Sequence, residues 1–591
     1  MNILGVSGLD NSVRFKAREF PDLTARQLRI AQGLDSAAAL VTHAGIRAAA
    51  AEERFNGIKG TGSFPAGAIR YCLETEGLQP RDIHRVAHAF DYAPFEEFFA
   101  QDAYLQRQYH EVYSRQAQIA VARLYFPEID WEQKLIAVPH HLAHAAGAFF
   151  PSGFDQSLIL VTDGMGEFTS ATLATGDQNG IHILREIPAL HSIGIFYGVV
   201  TLYLGFFIAL DEYKVMGLAP YGDPNRYFNA LMDLVQHQSD GSWRIPVLLK
   251  NRTMLEKETY GGTLAALADI LGPPRSPDSP VTQQHMDVAA ALQAVLQSCT
   301  LDLLRHARRE TGLQHLCMSG GVALNCAVNG VIRRSGLFKQ IYVQPASGDD
   351  GTALGAALYV RNREDSGSLP LRRELPLWGP AYSDAEIEVA VRARSDCRFQ
   401  LFESHGNLIE AVITHLAQGQ IIAWFQGRME YGPRALGARS ILADPRHGDM
   451  RERINRLVKK REAFRPFAPA VTSASAGQYF EIRTGEEEAF ADMLFTTQVR
   501  STWQDRLPAI THVDGSARVQ TVTRDQHPLF WHLLHAYGEH TGLPILLNTS
   551  FNVRGQPIVR TPAEAIDTFV SAGLDALAIG NLLVTRAGAQ T

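Results

Sequence analysis

The sequence predicts an α/β protein with a duplicated N-terminal domain and a second α/β domain after it. Three observations predict this class: a pattern of strands that occurs twice, two strand–turn–helix passages behind it, and a change of composition beyond residue 383. The 46% apolar and 20% charged shares are those of a globular chain, and they exclude disordered, collagen-like and coiled-coil proteins. A length of 591 residues is enough for several domains.

The repeated pattern begins with a buried strand that runs into a glycine-bearing turn, followed by two more strand-like runs. In the first copy these runs are NILGVSG, AAALVTHAG and IRAAAAEER, with a polar insertion at 10–32. In the second copy they are LILVT, FTSATLATG and IHILREI. Duplicated three-strand meanders have the strand order of the actin-like ATPase fold, which binds a nucleotide between two similar halves. By this analogy the sequence predicts that fold.

Two strand–turn–helix passages follow the meanders, HLCMSGGVALNCAVNGVIRR and QIYVQPASGDDGTALGAALYVRN. Each would direct unpaired helix N–H groups at a strand end, which suits a ribose-phosphate or adenosine. Residues 361–383 are rich in charge, Ser and Pro, and are typical of an inter-domain linker. The predicted domains are therefore residues 1–360 and 384–591.

Charge and cysteine content limit the possible partners and compartment. A net charge of −7 does not favour nucleic acid or an anionic membrane surface. Five cysteines without a CxxC pair indicate a reducing compartment and exclude a disulfide framework. The start MNILGVSGLDNS does not resemble a secretion signal. Residues 193–210 carry no charge but have no flanking Lys or Arg anchors, so a buried core helix is expected and the protein is predicted to be cytoplasmic.

A basic run distinguishes the C-terminal part. Between Arg434 and Arg465 there are ten Lys or Arg and four acids. A solvated helix face is one interpretation. However, Arg434, Arg439 and Arg465 stand among Gly, Pro, Ala and Phe, which favours arginines that bind phosphate or carboxylate oxygens. Nucleic acid is a competing partner, but the run lacks the interleaved aromatics of strand binding.

Two histidines and two aspartates suggest a metal site. His140 and His144 are four residues apart, so on a helix they share one face. The second position of this motif is another histidine, which excludes the HExxH pattern of zinc proteases. Asp163 ends the strand LILVTD, and Asp349 or Asp350 offers a fourth ligand. Such a set favours iron or zinc over magnesium.

Other polar residues have two interpretations each. Lys59 stands among glycines in FNGIKGTG, either to reach a phosphate or as part of a surface turn. Arg518, Asn548, Ser550 and Asn552 stand in apolar strings near the C-terminus, where they either form loops or contact a ligand.

A resemblance to a known family is carried by motifs along nearly the whole chain. They are EERFNGIK, HHLAHA, DGMGE, EYKVMGLAPYG, SGGVALNC, GDDGTALGAA, MEYGPRALGARSILADPR, VKKREAFRPFAP, HVDGSARVQTV and NTSFNVRGQPIV. The chain resembles the O-carbamoyltransferases that tailor antibiotics and nodulation factors. These enzymes join a TsaD-like, actin-related domain to a C-terminal YrdC-like domain.

The resemblance implies a reaction at two sites. In the YrdC-like domain, carbamoyl phosphate is cleaved, and the carbamate attacks ATP, which enters with Mg²⁺, to give carbamoyl-adenylate and pyrophosphate. In the TsaD-like domain, a hydroxyl of a small secondary metabolite attacks the adenylate and AMP leaves. The alternatives are a tRNA threonylcarbamoylation-like factor and a nucleotide-binding switch protein. A homodimer is left open.

The resemblance also implies residue roles. The groups expected to hold carbamoyl phosphate and the ATP phosphates are Arg434, Lys459, Arg465, Arg518 and Ser550, with Asn548 and Asn552 beside them. The expected metal ligands are His140, His144, Asp163 and Asp349. The expected adenylate contacts are Lys59, Gly320, Gly321 and Asn325.

One position departs from the family pattern. A His-Asp pair usually opens the second strand, and here Leu34 precedes Asp35. Leucine cannot accept a proton from the acceptor hydroxyl. Asp35, Asp163 or a histidine of the metal site is then the expected base, or the metal lowers the pKa of the hydroxyl. The alternative is that the insertion 10–32 changes the acceptor pocket.

Overall fold

The protein folds into two compact units in a computed structural model that describes residues 1–364, 371–459, 462 and 464–587. Unit 1 contains Met1–Glu53 and Gly60–Arg373, and unit 2 contains Arg54–Lys59 and Glu374–Thr591. Part of the predicted linker 361–383 lies outside the described residues. The short segment Arg54–Lys59 groups with unit 2 although it is far from the rest of that unit in sequence.

Unit 1 contains two five-stranded sheets and a short hairpin. Its strands are β1 (Asn2–Ser7), β2 (Ala37–Thr42), β3 (Gly45–Ala51), β4 (Arg85–His88), β5 (Leu135–Ala137), β6 (Ser157–Gly166), β7 (Thr169–Asp177), β8 (Gly180–Pro188), β9 (Gln236–His237), β10 (Trp243–Arg244), β11 (His315–Ser319) and β12 (Gln340–Val343).

The two sheets have the same topology. The strand orders are β3-β2-β1-β4-β5 and β8-β7-β6-β11-β12. In each sheet the first three strands are antiparallel and the last two join in parallel. The predicted duplication is confirmed, and this repeated order is that of the actin-like ATPase fold.

Helices within residues 1–364 connect and cover these sheets, apart from one short helix of which residues 54–56 belong to unit 2. They are α1 (Ser12–Glu19), α2 (Ala25–Leu28), α3 (Glu53–Asn56), α4 (Ala66–Thr75), α5 (Glu96–Phe99), α6 (Ala103–Gln108), α7 (Arg115–Tyr125), α8 (Trp131–Lys134), α9 (His140–Phe149), α10 (Ile193–Tyr203), α11 (Glu212–Leu218), α12 (Phe228–Met232), α13 (Met254–Thr259), α14 (Gly261–Leu271), α15 (Gln283–Thr311), α16 (Cys326–Arg334) and α17 (Asp350–Glu364).

Glycines allow α9 and α17 to cross closely. A Cβ on Gly355 of α17 would overlap the carbonyl oxygen of Ala143 in α9, and one on Gly147 would lie 3.4 Å from the Cα of Gly355. A Cβ on Gly5 of β1 would likewise overlap the carbonyl oxygen of Ala353. The helices α9 and α17 are therefore held side by side around Gly147 and Gly355.

Gly355→Ala is expected to destabilise unit 1, because the added methyl group must push α9 and α17 apart. Overpacking of this kind costs about 1–3 kcal/mol, measured as a lower free energy of unfolding in urea. The matched control is Gly406→Ala, where the nearest atom to the added Cβ is the hydroxyl oxygen of Ser404 at 3.6 Å. An unchanged free energy for Gly355→Ala would contradict the close crossing.

The two most apolar stretches are core helices. The uncharged stretch 193–210 forms α10, which spans only 11 residues and is mostly buried, as predicted. The helix α15 is long and apolar enough by length and composition to cross a membrane, but 72% of its most apolar window is buried within the protein. Burial of that extent is typical of the core helix of a globular domain.

Unit 2 is a mixed α/β unit, as the sequence predicts for the C-terminal part. Its eight-stranded sheet has the order β13-β22-β21-β14-β15-β20-β16-β19, and β17 and β18 form a separate hairpin. The strands are β13 (Cys397–Leu401), β14 (Ile422–Phe425), β15 (Arg439–Ala443), β16 (Ala468–Thr472), β17 (Thr496–Gln498), β18 (Ser516–Arg518), β19 (Gln520–Val522), β20 (Ile545–Ser550), β21 (Ala576–Ile579) and β22 (Leu582–Arg586).

The core of unit 2 lies between this sheet and two of its helices. Trp424 and Leu546 of the sheet pack with Leu408 from α19 (His405–Ala417) and with Phe530 and Leu533 from α23 (Pro528–Thr541). The helices are α18 (Asp384–Arg392), α19 (His405–Ala417), α20 (Met450–Ile454), α21 (Ala476–Tyr479), α22 (Ser501–Gln504), α23 (Pro528–Thr541) and α24 (Pro562–Ala572).

Candidate active site

Four side chains of unit 1 converge on one point. The ligand atoms of His140, His144, Asp163 and Asp349 all lie within 4.8 Å of one another. His140 Nε2 is 3.4 Å from Asp349 Oδ1 and 3.6 Å from Asp163 Oδ2. His144 Nε2 is 3.1 Å from His140 Nε2. The structure thus brings together the four predicted metal ligands, with Asp349 rather than Asp350 in the set.

Local structure explains the convergence. His140 begins α9, and its backbone N–H donates to both carboxylate oxygens of Glu167 at 3.1 and 3.2 Å. That carboxylate satisfies a helix N-terminus that Pro139 leaves without a side-chain cap. His144 lies one turn further on the same face, Asp163 lies on β6, and Asp349 directly precedes α17.

The second ring nitrogen of each histidine is held by another residue. His140 Nδ1 lies 3.0 Å from the carbonyl oxygen of Ala89, so it carries a proton and donates. His144 Nδ1 lies 3.1 Å from Ser319 Oγ. Metal-binding histidines commonly have such partners, which orient the ring and direct the other nitrogen at the ion. Both Nε2 atoms here are directed at the carboxylates.

The electrostatics of the cluster also suit a divalent cation. Burial lowers the pKa of His140, but the carboxylates of Asp349 and Asp163 outweigh it and raise that pKa well above its usual value. Burial raises the pKa of Asp163, yet the bond and the charges of His140 and His144 hold it far below its usual value. Two carboxylates remain ionised in a buried place, so positive charge is required there. A divalent cation bound by the cluster would supply that charge.

The predicted glycine pair adjoins this cluster. Gly320 has φ +89°, and a Cβ there would overlap the carbonyl oxygen of Thr162. The backbone N–H of Gly321 donates to Asp163 Oδ1 at 2.8 Å. Only glycine allows this close approach of the β11 end to the β6 end. The turn predicted to contact an adenylate therefore lies directly beside a predicted metal ligand.

Asn325 lies at the start of α16, just beyond this turn. Its side-chain oxygen accepts the N–H of Val328 at 3.1 Å and thereby caps the helix. Its amide also exchanges hydrogen bonds of 2.9 and 3.1 Å with the amide of Gln293. Asn325 is therefore fixed in place next to the glycine pair.

Two hydroxyl groups that the sequence analysis did not single out lie in the first strands of the two repeats, β1 and β6. Ser7 ends β1, and Thr162 lies next to Asp163 on β6. Both are buried, and neither hydroxyl has a hydrogen-bond partner among the described residues. The signal was present in the repeat, because VSG and VTDG stand at matching positions. Buried hydroxyls of this kind need water or a ligand.

Asp35 lies near the same region in a strained conformation. Its φ is +61°. A Cβ on Gly60 would lie close to Asp35 Oδ1 and to Arg29 Nη2, so these two groups meet next to Gly60. Burial, followed by the charges of Asp350 and Glu53, raises the pKa of Asp35 well above its usual value, while Arg29 opposes the shift. A carboxylate with a raised pKa is a stronger proton acceptor. Asp35 remains the predicted base.

Leu34 and Lys59, two further residues of the sequence analysis, belong to different units. Leu34 is buried, and its Cδ2 would lie 3.3 Å from a Cβ on Gly62. Lys59 belongs to the segment that groups with unit 2, whereas Gly320, Gly321 and Asn325 belong to unit 1. The predicted adenylate contacts are thus distributed over both units.

In unit 2, several predicted residues follow one another on or after β20. Asn548 is buried and donates to Ala435 O at 3.2 Å and to Gln520 Oε1 at 2.8 Å. Ser550 Oγ donates to Asn552 Oδ1 at 2.7 Å. Asn548 therefore joins the loop that carries Arg434 to β20, the strand that also bears Ser550.

The loop with Arg434 is held from its other side by a carboxylate. Glu430 Oε1 accepts the backbone N–H groups of Leu436, Ala438 and Arg439 at 2.8, 2.8 and 3.1 Å. Arg434 itself is half-buried. A loop held by these hydrogen bonds presents a side chain without first having to become ordered.

The expectation that Arg439 binds phosphate or carboxylate is wrong. Arg439 is wholly buried, and its guanidinium donates at 3.0–3.1 Å to the carbonyl oxygens of Gln426, Ala438, Pro380 and Gly427. It also lies 3.6 Å above the ring of Phe425. Its donors bind backbone groups of the fold instead.

Other charges of the basic run are partly compensated. Arg446 forms a bidentate pair with Asp444, and Arg465 lies 3.7 Å from Glu462. Arg518 ends β18 and is half-buried. The side chain of Lys459 lies outside the described residues. Arg434, Arg465 and Arg518 stay as the described arginines predicted to bind phosphates.

Comparison with known proteins matches two sequence profiles to this chain. The profile described as carbamoyltransferase N-terminus covers residues 28–358, and the one described as carbamoyltransferase C-terminus covers residues 413–586. The chain belongs to the carbamoyltransferase family. It is therefore a carbamoyltransferase enzyme, as the motifs predicted.

Relatives of this carbamoyltransferase include two nodulation proteins. The chain is 38% identical to nodulation protein NolNO of Sinorhizobium fredii over 99% of its own length and 83% of the relative. It is 42% identical to nodulation protein NolO of Bradyrhizobium diazoefficiens over 76% of its own length and 78% of the relative. Among solved structures, an activator of 2-hydroxyisocaproyl-CoA dehydratase from Clostridium difficile with bound ADPNP matches 62% of this chain and 98% of its own, with 14% identity and a TM-score of 0.32.

Proposed function

We propose that this carbamoyltransferase forms carbamoyl-adenylate from carbamoyl phosphate and ATP in unit 2, and transfers the carbamoyl group to an acceptor hydroxyl in unit 1. The observation that carries the proposal is the contact between Gly321 N–H and Asp163, which puts a glycine turn suited to an adenylate beside the His/Asp cluster. The basic, loop-built region of unit 2 suits two phosphorylated substrates.

The His/Asp cluster would hold a divalent metal, iron or zinc, through His140, His144, Asp163 and Asp349. Such an ion supplies Lewis-acid chemistry that polarises a carbonyl or phosphoryl oxygen. The neighbouring residues of the chain orient these ligands: Ala89 and Ser319 hold the second ring nitrogens, and Gly321 holds one oxygen of Asp163.

In the first half-reaction, water cleaves carbamoyl phosphate to carbamate and inorganic phosphate. A carbamate oxygen then attacks the α-phosphorus of ATP, and the bond to the leaving pyrophosphate breaks. The guanidinium groups of Arg434, Arg465 and Arg518 and the hydroxyl of Ser550 would bind the phosphate oxygens on which charge accumulates. Mg²⁺ enters with ATP. The chain's own contribution is positioning and fixed positive charge.

In the second half-reaction, the acceptor oxygen attacks the carbamoyl carbon. The bond from that carbon to the phosphate oxygen breaks, its electron pair stays on AMP, and Asp35 takes the proton of the acceptor hydroxyl. The hydroxyl of a small secondary metabolite is the proposed acceptor. Its carbamoylation would tailor that metabolite.

The test is to incubate the protein with carbamoyl phosphate, ATP and MgCl₂ and to measure pyrophosphate and AMP. We expect pyrophosphate release that depends on carbamoyl phosphate, and a gain of one carbamoyl group on a hydroxyl compound by mass spectrometry. The control omits carbamoyl phosphate. Pyrophosphate release that ignores carbamoyl phosphate, or none with any acceptor, would contradict the proposal.

A further inference from the structure

A buried tyrosine outside the predicted set lies beside the His/Asp cluster. It follows β4 in the segment Phe90–Tyr92, and this segment is fixed against the start of α9. The ring of Phe90 stacks on the ring of His140 with centroids 4.3 Å apart and planes at 17°. The backbone N–H of Asp91 donates at 2.8 Å to Glu167 Oε1, the same carboxylate that caps α9.

The ring of Tyr92 is oriented by aromatic packing. It is 3% exposed and stacks on Tyr113 at 4.2 Å and 21°, while Phe99 meets it edge-on at 6.0 Å. Tyr113 ends a π-helix, Tyr109–Tyr113. Helices of this type are frequent at functional sites. The position of the Tyr92 hydroxyl is therefore set by rings on several sides.

The hydroxyl of Tyr92 is buried and has no hydrogen-bond partner among the described residues. A buried hydroxyl without a partner destabilises a fold, and phenylalanine would fill the same space without that cost. Groups that are retained at such a cost commonly serve a ligand. The charges of two nearby carboxylates act on this phenol: Glu167, which caps α9, and Asp349, which belongs to the cluster.

The phenol is a hydrogen-bond donor at neutral pH. A tyrosine keeps its proton up to about pH 10 in ordinary surroundings. Burial, with the charges of Tyr113, Glu167 and Asp349, raises the pKa of Tyr92 well above that value. It therefore suits an oxygen atom that gains negative charge and not the acceptor hydroxyl, which has to lose a proton.

We infer that Tyr92 donates its O–H to the carbonyl oxygen of the carbamoyl group during transfer, which makes it a further catalytic residue. This inference rests on the proposed function. As the acceptor oxygen bonds to the carbamoyl carbon, negative charge accumulates on the carbonyl oxygen, and a fixed donor stabilises that charge. When the bond to the AMP oxygen breaks, the carbonyl double bond forms again and the negative charge leaves with AMP. Tyr92 keeps its proton throughout.

The test is Tyr92→Phe, which removes only the hydroxyl. We expect kcat for carbamoyl transfer to fall about 10²–10³-fold, the loss seen when one such donor is removed. The KM for the acceptor and the release of pyrophosphate should stay near the wild-type values. The thermal midpoint should stay equal or rise, since an unpaired buried hydroxyl is gone. The matched control is Tyr113→Phe, the ring partner, whose kcat should be near wild type.

The outcomes separate this inference from the proposed function. Wild-type protein that makes no pyrophosphate from carbamoyl phosphate and ATP overturns the proposed function, and this inference with it. If the wild type is active and Tyr92→Phe is equally active, the inference alone is overturned. The same holds if Tyr92→Phe loses transfer activity together with a lower thermal midpoint, because the loss then reflects a less stable fold. A second variant carries 3-fluorotyrosine at position 92, which keeps ring and donor, and should retain transfer; loss of transfer there would also contradict the inference.

Discussion

His144→Ala is expected to abolish carbamoyl transfer while pyrophosphate release continues at the wild-type rate. The substitution removes one of the four ligands of the His/Asp cluster, whose Nε2 lies 3.1 Å from His140 Nε2. The three ligands that remain should bind an ion more weakly than the complete set. We expect at least about a 10³-fold lower transfer rate, since the reacting carbamoyl group loses its main charge stabilisation. Product formation is measured by mass spectrometry, and bound metal by elemental analysis.

The chain provides a matched control on the same helix. His141 lies between the two cluster histidines and is also buried, but its Nδ1 bonds Thr172 Oγ1 at 2.9 Å outside the cluster. Burial and the charge of His140 lower the pKa of His141 to about 3, so it is neutral at pH 7. His141→Gln should retain the metal and most of the transfer rate. Equal metal content in His144→Ala and wild type would contradict the ligand assignment.

Arg434→Ala is expected to abolish pyrophosphate release and leave the fold intact. Its loop is anchored by Glu430 and Asn548 through backbone groups, so truncation of the side chain should not release it. Loss of a charge-assisted bond to phosphate oxygens should lower the rate about 10²-fold or more. Pyrophosphate is measured with saturating carbamoyl phosphate and ATP, and folding by circular dichroism.

Arg456→Ala is the control for charge in the same basic run, because Arg456 is exposed at the surface of unit 2. Removal of Arg456 lowers the positive charge of the basic run by the same amount as removal of Arg434. The rate of pyrophosphate release should nevertheless stay unchanged. Should both variants lose the same modest fraction of activity, the effect would be general electrostatics, and the specific role of Arg434 would be wrong.

The fold was predictable because its signal is local and repeated. Each meander shows the same run of buried strands and the same glycine turn, so the equal strand orders of the two sheets followed from the sequence. The His/Asp cluster was predictable for a similar reason. The spacing of His140 and His144 defines a helix face, and Asp163 directly follows the run LILVT that begins the second copy of the repeat.

Other features depend on contacts between distant residues and have no local signal. The choice of Asp349 over Asp350 depends on where α17 begins relative to α9. Arg439 looks like a phosphate ligand among its sequence neighbours, yet its guanidinium is occupied by carbonyl oxygens as far away as Pro380. The unpaired hydroxyl of Tyr92 emerges only once the rings around it are packed.

The central claim is that one chain makes carbamoyl-adenylate with unit 2 and consumes it with unit 1. The most direct measurement follows the labelled carbamoyl group of carbamoyl phosphate in His144→Ala and in Arg434→Ala, with ATP and acceptor present. His144→Ala should accumulate labelled adenylate in step with pyrophosphate and carbamoylate nothing, whereas Arg434→Ala should form neither. Labelled product from His144→Ala, or labelled adenylate from Arg434→Ala at the wild-type rate, would contradict the division of the reaction between the two units.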